Sequence, residues 1–168
     1  WGSGGLSGAV HINNKYELNK STNIIIGSSF GSFSNYKNYI NISKSFNKWH
    51  TSFRFFRNQN ENDFTIIKPT SNQRISQSNS NIYQLSLMNE NYVHFRNGSL
   101  LKIIGMYQQF NRQIPPTLSE NQSLAHQDDN VRRILAEYKF NKNKYVIDIK
   151  SSYLNEVNNY FNPTASIS

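Results

Sequence analysis

The chain contains residues that could bind an anion, but it has no recognisable catalytic group. Arg54, Arg57, Arg74 and Arg112 can each donate a forked pair of hydrogen bonds to a carboxylate or phosphate, so they are the candidate substrate-binding residues. The alternative for each is an ordinary charged residue of a wall or loop. The four histidines lack metal-ligand spacing, and there is no cysteine. We therefore predict no metal site, no catalytic site and no cofactor.

Other polar segments suggest chemistry, but each pattern is incomplete. Asp128 and Asp129 are adjacent and lack the alternating oxygen ligands of a calcium loop. Glu61 and Asp63 lie in a polar segment that is not expected to fix two carboxylates for general acid–base catalysis. The glycine-rich segment 2–8 lacks the strand and helix that flank a dinucleotide loop. The protein is therefore expected not to be an enzyme.

The composition predicts a folded chain, and its charge is compatible with an anionic partner without requiring one. Hydrophobic residues make up 36% of the 168 residues and aromatic residues 14%, and disordered chains rarely contain so many aromatics. The net charge of +8 favours anionic ligands or lipids. Because lysine and arginine are spread along the chain rather than clustered, we expect no nucleic-acid partner.

Arg54 lies in one of several segments that alternate between polar and apolar residues, a pattern typical of β-strands with two different faces, whereas Arg74 and Arg112 lie in polar connections. The pattern predicts about seven strands of about ten residues or more, whereas soluble strands usually have about five or six. The alternation that indicates these strands is seen within residues 23–32, 40–46, 49–55, 83–87, 99–110, 133–140 and 145–153.

Strands of this length could cross a bilayer, with the apolar face towards lipid and the charged face towards a wet lumen. Several aromatic residues near the predicted strand ends would then form an interfacial girdle. They are Trp49, Tyr83, Tyr107, Phe140, Tyr145 and Tyr153. A soluble β-sandwich is the alternative, because its strands alternate in the same way and pack their apolar faces together.

The predicted connections alternate between short and long. Short turns are expected at 47–48, around the Asn97-Gly98 dipeptide and at 141–144, whereas 58–81 and 111–130 are long and polar. The first hairpin has a short tip at 31–38. Outer-membrane barrels have short periplasmic turns and longer extracellular loops. The pattern therefore favours an all-β, antiparallel transmembrane barrel segment with its long loops outside the cell.

The first twelve residues, WGSGGLSGAVHI, resemble the end of the plug domain of TonB-dependent outer-membrane receptors. In that family a Tyr-Gly-Ser segment rich in small residues precedes the first barrel strand. Gly2, Ser3 and Gly8 match this pattern, and three other positions depart from it by small or polar changes. Small residues would allow the plug backbone to pack closely against the barrel wall.

Later segments resemble the same family in the same order. The tip 27–33 is similar to the Gly-Ser-Phe-Gly tip of its first hairpin, and Asp63 lies in an Asn-Asp-Phe motif like the one that follows its third strand. Pro115 belongs to an Arg-x-hydrophobic-Pro element, and Asp128 to a Gln-x-Asp element before the next strand. The resemblance covers essentially the whole chain, and no single motif in it is highly specific.

The resemblance implies a plugged barrel of 22 strands. The chain would supply the C-terminal end of the plug (1–15) and the N-terminal part of the barrel (16–168), so we expect it to be an internal part of the receptor. The receptor would be a monomer in the lipid of the bacterial outer membrane.

The family imports a scarce nutrient: a ferric siderophore, haem or cobalamin. Energy comes from the inner membrane through the TonB complex, which would contact a segment outside this chain. The alternative function is a non-transporting surface β-protein, either a small outer-membrane barrel or an adhesin-like binding module.

Overall fold

The computed structural model describes residues 18, 21–68, 72–117, 120, 122–142 and 144–163, which form nine β-strands. The strands are β1 (Thr22–Gly31), β2 (Asn35–Ser45), β3 (Trp49–Asn60), β4 (Thr65–Ile67), β5 (Arg74–Ser76), β6 (Ile82–His94), β7 (Leu100–Gln113), β8 (His126–Lys142) and β9 (Tyr145–Phe161). No helix in these ranges is both long and apolar enough to cross a membrane.

Seven of the strands form one antiparallel meander in the order β1-β2-β3-β6-β7-β8-β9. The two short strands, β4 and β5, pair with each other inside the connection between β3 and β6. The prediction of an all-β chain with about seven long strands is confirmed. Strand length rises along the sheet, from 10 residues in β1 to 17 in both β8 and β9.

Several strands extend further than the sequence predicts. β8 begins at His126, so Asp128 and Asp129 belong to a strand and not to the polar loop expected at 111–130. The cause is cross-strand pairing, since the Asn111 side chain donates a 2.5 Å hydrogen bond to Asp128. The first hairpin tip is likewise shorter than predicted, because β2 begins at Asn35.

The described sheet is a single layer with almost no core. Tyr92 and Ala125 are the two hydrophobic residues that are buried among the described residues. The described strands do not form the two packed sheets of a sandwich. Within the described residues, no second sheet packs on either face of this layer.

One face, here called the apolar face, carries the aliphatic and aromatic rows that the sequence predicts. Its members follow from the strand register, in which Ile24, Ile42 and Phe53 are neighbours across three strands. The apolar residues of this face are Ile24, Ile26, Ile40, Ile42, Phe53, Phe55, Leu85, Leu87, Leu101, Ile103, Ile134, Ala136, Tyr138, Phe140, Ile147 and Ile149. The six predicted girdle aromatics lie on the same face.

The apolar residues form a band that keeps the same register rows from β1 to β3, lies slightly further from the β8–β9 turn in β6, and shifts towards that turn in β7, β8 and β9. In β1 the band is centred on Ile24 and Ile26, and their register rows reach β9 at Tyr153 and Asn155. The aliphatic residues of β9 lie further along the strand, at Ile147 and Ile149. The band therefore shifts by about six residues, or about 20 Å, over about 29 Å of sheet width, an angle of about 35°.

Apart from the three-residue β1–β2 turn, the connections separate by length to the two ends of the sheet. Turns 46–48 and 95–99 and the turn between β8 and β9 lie at one end, here called the short-turn end. The β1–β2 turn and the long β3–β6 and β7–β8 connections join the strands at the other end, the long-loop end. The predicted alternation of short and long connections is confirmed.

The turn at Gly98 depends on glycine, because its φ is 81° and a residue with a side chain rarely adopts that backbone. We expect Gly98→Ala to lower the free energy of unfolding by about 1 to 2 kcal/mol in a denaturant titration. Gly105→Ala is the matched control, since an added Cβ there meets nothing within 4 Å. An equal loss in both variants would contradict this account of the turn.

Candidate functional site

The polar face of the sheet contains a buried carboxylate at Glu90, whose exposed fraction is 1%. Arg54 on the neighbouring strand places a guanidinium nitrogen 2.9 Å from Glu90 Oε2. The Ser52 hydroxyl donates to the same oxygen at 3.1 Å, and the Tyr92 hydroxyl donates to Oε1 at 3.4 Å. The charge of Glu90 is therefore balanced by an ion pair and by hydrogen bonds from two strands.

The strand register builds this cluster. Ser52 pairs with Glu90 across β3 and β6, and the period of two places Arg54 and Tyr92 on the same face. One row further towards the short-turn end, the His50 ring lies 5.9 Å from the Tyr92 ring, centroid to centroid. His50 Nδ1 also lies 2.7 Å from the Ser45 hydroxyl.

The register row of His50 and Tyr92 continues through β7, β8 and β9 as a row of charged side chains. Lys102 lies over the Tyr92 ring, with its amine 5.6 Å from the centroid. Lys102 pairs in register with Glu137 and Glu137 with Lys150, whose amine is 3.5 Å from the Glu137 carboxylate. Lys139 lies 2.9 Å from the same carboxylate. Glu137 therefore has two lysine amines within ion-pair distance, and the cross-strand pair with Lys150 helps to hold β8 and β9 in register.

A second candidate site is a cleft of about 510 Å³ at the long-loop end. Four strands and two connections meet there, and most of the lining side chains are amides or charged groups. The lining residues are Gln59, Asn60, Glu61, Asn79, Asn81, Ile82, Tyr83, Asn111, Arg112, Gln113, Leu124, His126 and Asp128.

Asn79 holds the wall of this cleft together. Its side-chain amide donates to the carbonyl oxygens of Ile114 at 2.7 Å and Ala125 at 2.8 Å, which are the two ends of the β7–β8 connection. The backbone φ of Asn79 is 52°, a left-handed conformation that asparagine tolerates better than most residues. One side chain therefore joins the β5–β6 connection to both ends of the next connection.

The cleft offers hydrogen-bonding groups of both charges. Arg112 bonds to Gln127, and its guanidinium lies 5.8 Å from the Phe110 ring centroid. His126 Nε2 lies 4.0 Å from an Asp128 carboxylate oxygen. With Tyr83 and Leu124 as apolar surface, the cleft can bind a polar ligand by hydrogen bonds and flat contact. Its residues do not form a nucleophile–base pair.

The four predicted arginines do not form one patch. Arg54 lies on the polar face and is paired with Glu90, whereas Arg57 lies on the apolar face, 5.6 Å from the Tyr83 ring centroid. The two side chains diverge because three residues of strand separate them. Arg74 begins the small strand β5, and Arg112 is the one of the four that lines the cleft.

The residues of the family-like motifs are scattered over the long-loop end. Asp63 lies in the β3–β4 connection and Pro115 in the β7–β8 connection. Asp128 lies in β8 and lines the cleft. Gly2, Ser3 and Gly8, with the rest of the expected plug end, lie outside the described residues.

Sequence reasoning did not select Glu90 or Asn79. The Asn89-Glu90-Asn91 segment has three polar residues in a row, so the alternation that marks the other strands is absent there. The one available signal was the alternation of faces along each strand, which places Glu90 on the same face as Arg54 once β3 and β6 are paired. Asn79 lies in a polar segment where no local pattern distinguishes it from its neighbours.

In the part of the chain that the structure describes, no group of three or more histidine, aspartate or glutamate residues is arranged to hold a metal ion. No known protein family matches the chain, and no curated protein is similar to it. The resemblance to TonB-dependent receptors therefore depends on the sequence motifs.

We expect Glu90→Gln to lower the free energy of unfolding by about 1 to 3 kcal/mol, because it leaves the Arg54 charge without its partner. Glu156→Gln removes an exposed carboxylate from the same face and is the control. A double-mutant cycle with Arg54→Gln should give a coupling of at least about 0.5 kcal/mol. A coupling near zero would exclude the ion pair as a source of stability.

We expect Asn79→Ala to loosen the β7–β8 connection, because two hydrogen bonds to its ends are lost. Amide hydrogen exchange at Ile114, Thr117 and residues 122–125 should accelerate by about tenfold. Asn72→Ala is the control, since Asn72 has a similar φ of 54° and lies elsewhere in the long β3–β6 connection. Equal exchange in the two variants would mean that the Asn79 bridge does not hold the connection.

Proposed function

We propose that the chain forms part of the barrel wall of a TonB-dependent outer-membrane receptor that imports a ferric siderophore, haem or cobalamin. The proposal rests chiefly on one observation: a seven-stranded sheet carries an exposed apolar face with no second layer of described structure on it. Ile26 and Ile149, at opposite edges of the sheet, are 71% and 59% exposed. Water disfavours such a surface, whereas lipid covers it without penalty.

The oblique apolar band supports a membrane position. Barrel strands tilt by about 35–45° from the membrane normal, so a band parallel to the membrane must cross the strand register. The angle of about 35° measured from β1 to β9 agrees with that requirement.

The two ends of the sheet support the orientation. Short turns at one end and long connections at the other are typical of outer-membrane barrels, in which the long loops face outside. In this orientation the cleft held by Asn79 is on the extracellular side. The polar face, with the Arg54–Glu90 ion pair, then lines the lumen.

The sequence motifs within the first 128 residues support the assignment of the barrel to the TonB-dependent receptors. The cleft supports the binding of a ligand. Arg112 and His126 would contribute positive or hydrogen-bonding groups to an anionic or polar nutrient. On this proposal the protein is a transporter.

The second candidate function is a surface β-protein that binds without transport. The cleft favours this function. Four neighbouring strands and two connections form its wall, so it could hold a ligand without a plug. The two candidates differ in the fate of the bound ligand: a receptor consumes energy to internalise it, and a binding module leaves it at the surface.

We expect cells that lack the full-length gene to lose uptake of one radiolabelled nutrient among a ferric siderophore, haem and cobalamin. Uptake should return when the gene is restored and should stop when a protonophore collapses the inner-membrane gradient. Arg112→Gln should reduce uptake about tenfold, because a charged hydrogen bond contributes about 1.5 to 3 kcal/mol.

Lys37→Gln is the matched control, since it removes an exposed cation of the polar face that does not line the cleft. Unchanged uptake of all three nutrients in the deletion strain would exclude the transport assignment. Surface binding that persists with protonophore and is not followed by uptake would identify the non-transporting alternative.

A further inference from the structure

The short-turn end of the apolar face has a repeated chemical pattern. Each of its three turns places an exposed aromatic ring beside a cation. In the first turn the rings are Phe46 and Trp49 and the cations Lys44 and Lys48; the second has Phe95 and Arg96, and the third has Tyr145 and Lys144. The pattern therefore occurs at all three turns and is not a feature of one hairpin alone.

The first two turns enclose an open groove of about 750 Å³. The backbone N–H of His94 donates to the Lys48 carbonyl at 2.7 Å, which ties the two turns together. The groove is lined by Lys44, Ser45, Phe46, Asn47, Lys48, Trp49, His94, Phe95 and Arg96. Three of these side chains are permanent cations and none is an acid.

The aromatic side of the groove is ordered by its own contacts. The Phe46 and Trp49 rings stack with centroids 5.2 Å apart and an interplanar angle of 13°. The Lys44 amine lies 5.2 Å from the Phe46 centroid. Even so, Phe46, Trp49 and Phe95 remain 39%, 42% and 44% exposed. Apolar rings and positive charge therefore share one surface.

Among the described residues, the acids near this end lie on the opposite face and are paired with other cations. Glu137 is 2.9 Å from Lys139, and Asp148 is 3.4 Å from Lys150. The groove therefore has a local excess of positive charge that its own face does not neutralise. The ligand that it fits has a negative headgroup joined to an apolar body.

We propose that this groove binds the headgroup of an anionic phospholipid. The phosphate would contact Lys44, Lys48 and Arg96, while the acyl chains would run along the apolar face past Trp49. Aromatic rings prefer the boundary between headgroups and hydrocarbon, and nearby lysine and arginine reach out to lipid phosphates. A free phosphate would satisfy the cations but would leave the exposed rings without a partner.

The inference rests on the proposed membrane position, because the short turns must lie at a bilayer surface. Phosphatidylglycerol is the test lipid and phosphatidylcholine, which has no net charge, is the comparison. Binding of each to the full-length protein in detergent micelles can be counted by native mass spectrometry. We expect the wild-type protein to bind phosphatidylglycerol more tightly, with an affinity that falls as salt rises.

The triple variant Lys44→Gln, Lys48→Gln, Arg96→Gln should lose about 10-fold to 100-fold in affinity for phosphatidylglycerol. The control Lys37→Gln, Lys102→Gln, Arg133→Gln removes two lysines and one arginine from the polar face and should keep wild-type affinity. If the first triple variant does not fold, Arg96→Gln alone should still lose severalfold. The charge-retaining set Lys44→Arg, Lys48→Arg, Arg96→Lys should bind as wild type does.

Four results would overturn the lipid site: equal binding of the two lipids, equal loss in both triple variants, unchanged binding in the groove variant, or displacement of lipid by equimolar glycerol 3-phosphate. The last result would identify a site for a soluble anion. A protein that takes up its nutrient and yet shows no lipid preference would refute this site alone. A protein that fractionates as soluble and supports no uptake would refute the receptor as well.

Discussion

The whole described structure depends on backbone hydrogen bonding between neighbouring strands in one layer. A typical domain gains its stability from a buried core, but here Tyr92 and Ala125 are the buried hydrophobic residues in the described part of the chain. Each inner strand of the sheet is held by ladders on both sides, and a lost register would expose polar backbone groups. The side-chain networks on the polar face add to the ladders, as the Arg54–Glu90 pair does between β3 and β6.

The sequence predicted the two faces of the sheet because their signal is local. Trp49, Phe53 and Phe55 lie on one face simply because consecutive strand residues point in opposite directions. Strand ends were harder to predict, because the residues near them are polar in both strands and loops. Asp128 has the sequence of a loop residue, and a hydrogen bond from another strand keeps it in β8.

The candidate sites were less predictable, since each depends on residues distant in sequence. Glu90 is significant because Ser52 and Arg54 lie beside it, and no local pattern states that β3 pairs with β6 across more than twenty intervening residues. The same limit explains why the sequence does not distinguish the positions of Arg54 and Arg57. A composition argument counts charges, whereas the strand places those two side chains on opposite sides of the sheet.

The rise in strand length has a steric consequence. At the short-turn end, the apolar band lies at a similar distance from the strand ends in β1 and β9. At the long-loop end the distances differ, because the strand continues beyond the band from Ile26 to Gly31 in β1 and from Ile149 to Phe161 in β9. The β9 extension is about 20 Å longer, so the wall stands much higher above the band on that side. The edge of the described sheet at the long-loop end is therefore stepped, with β8 and β9 reaching well beyond β1 and β2.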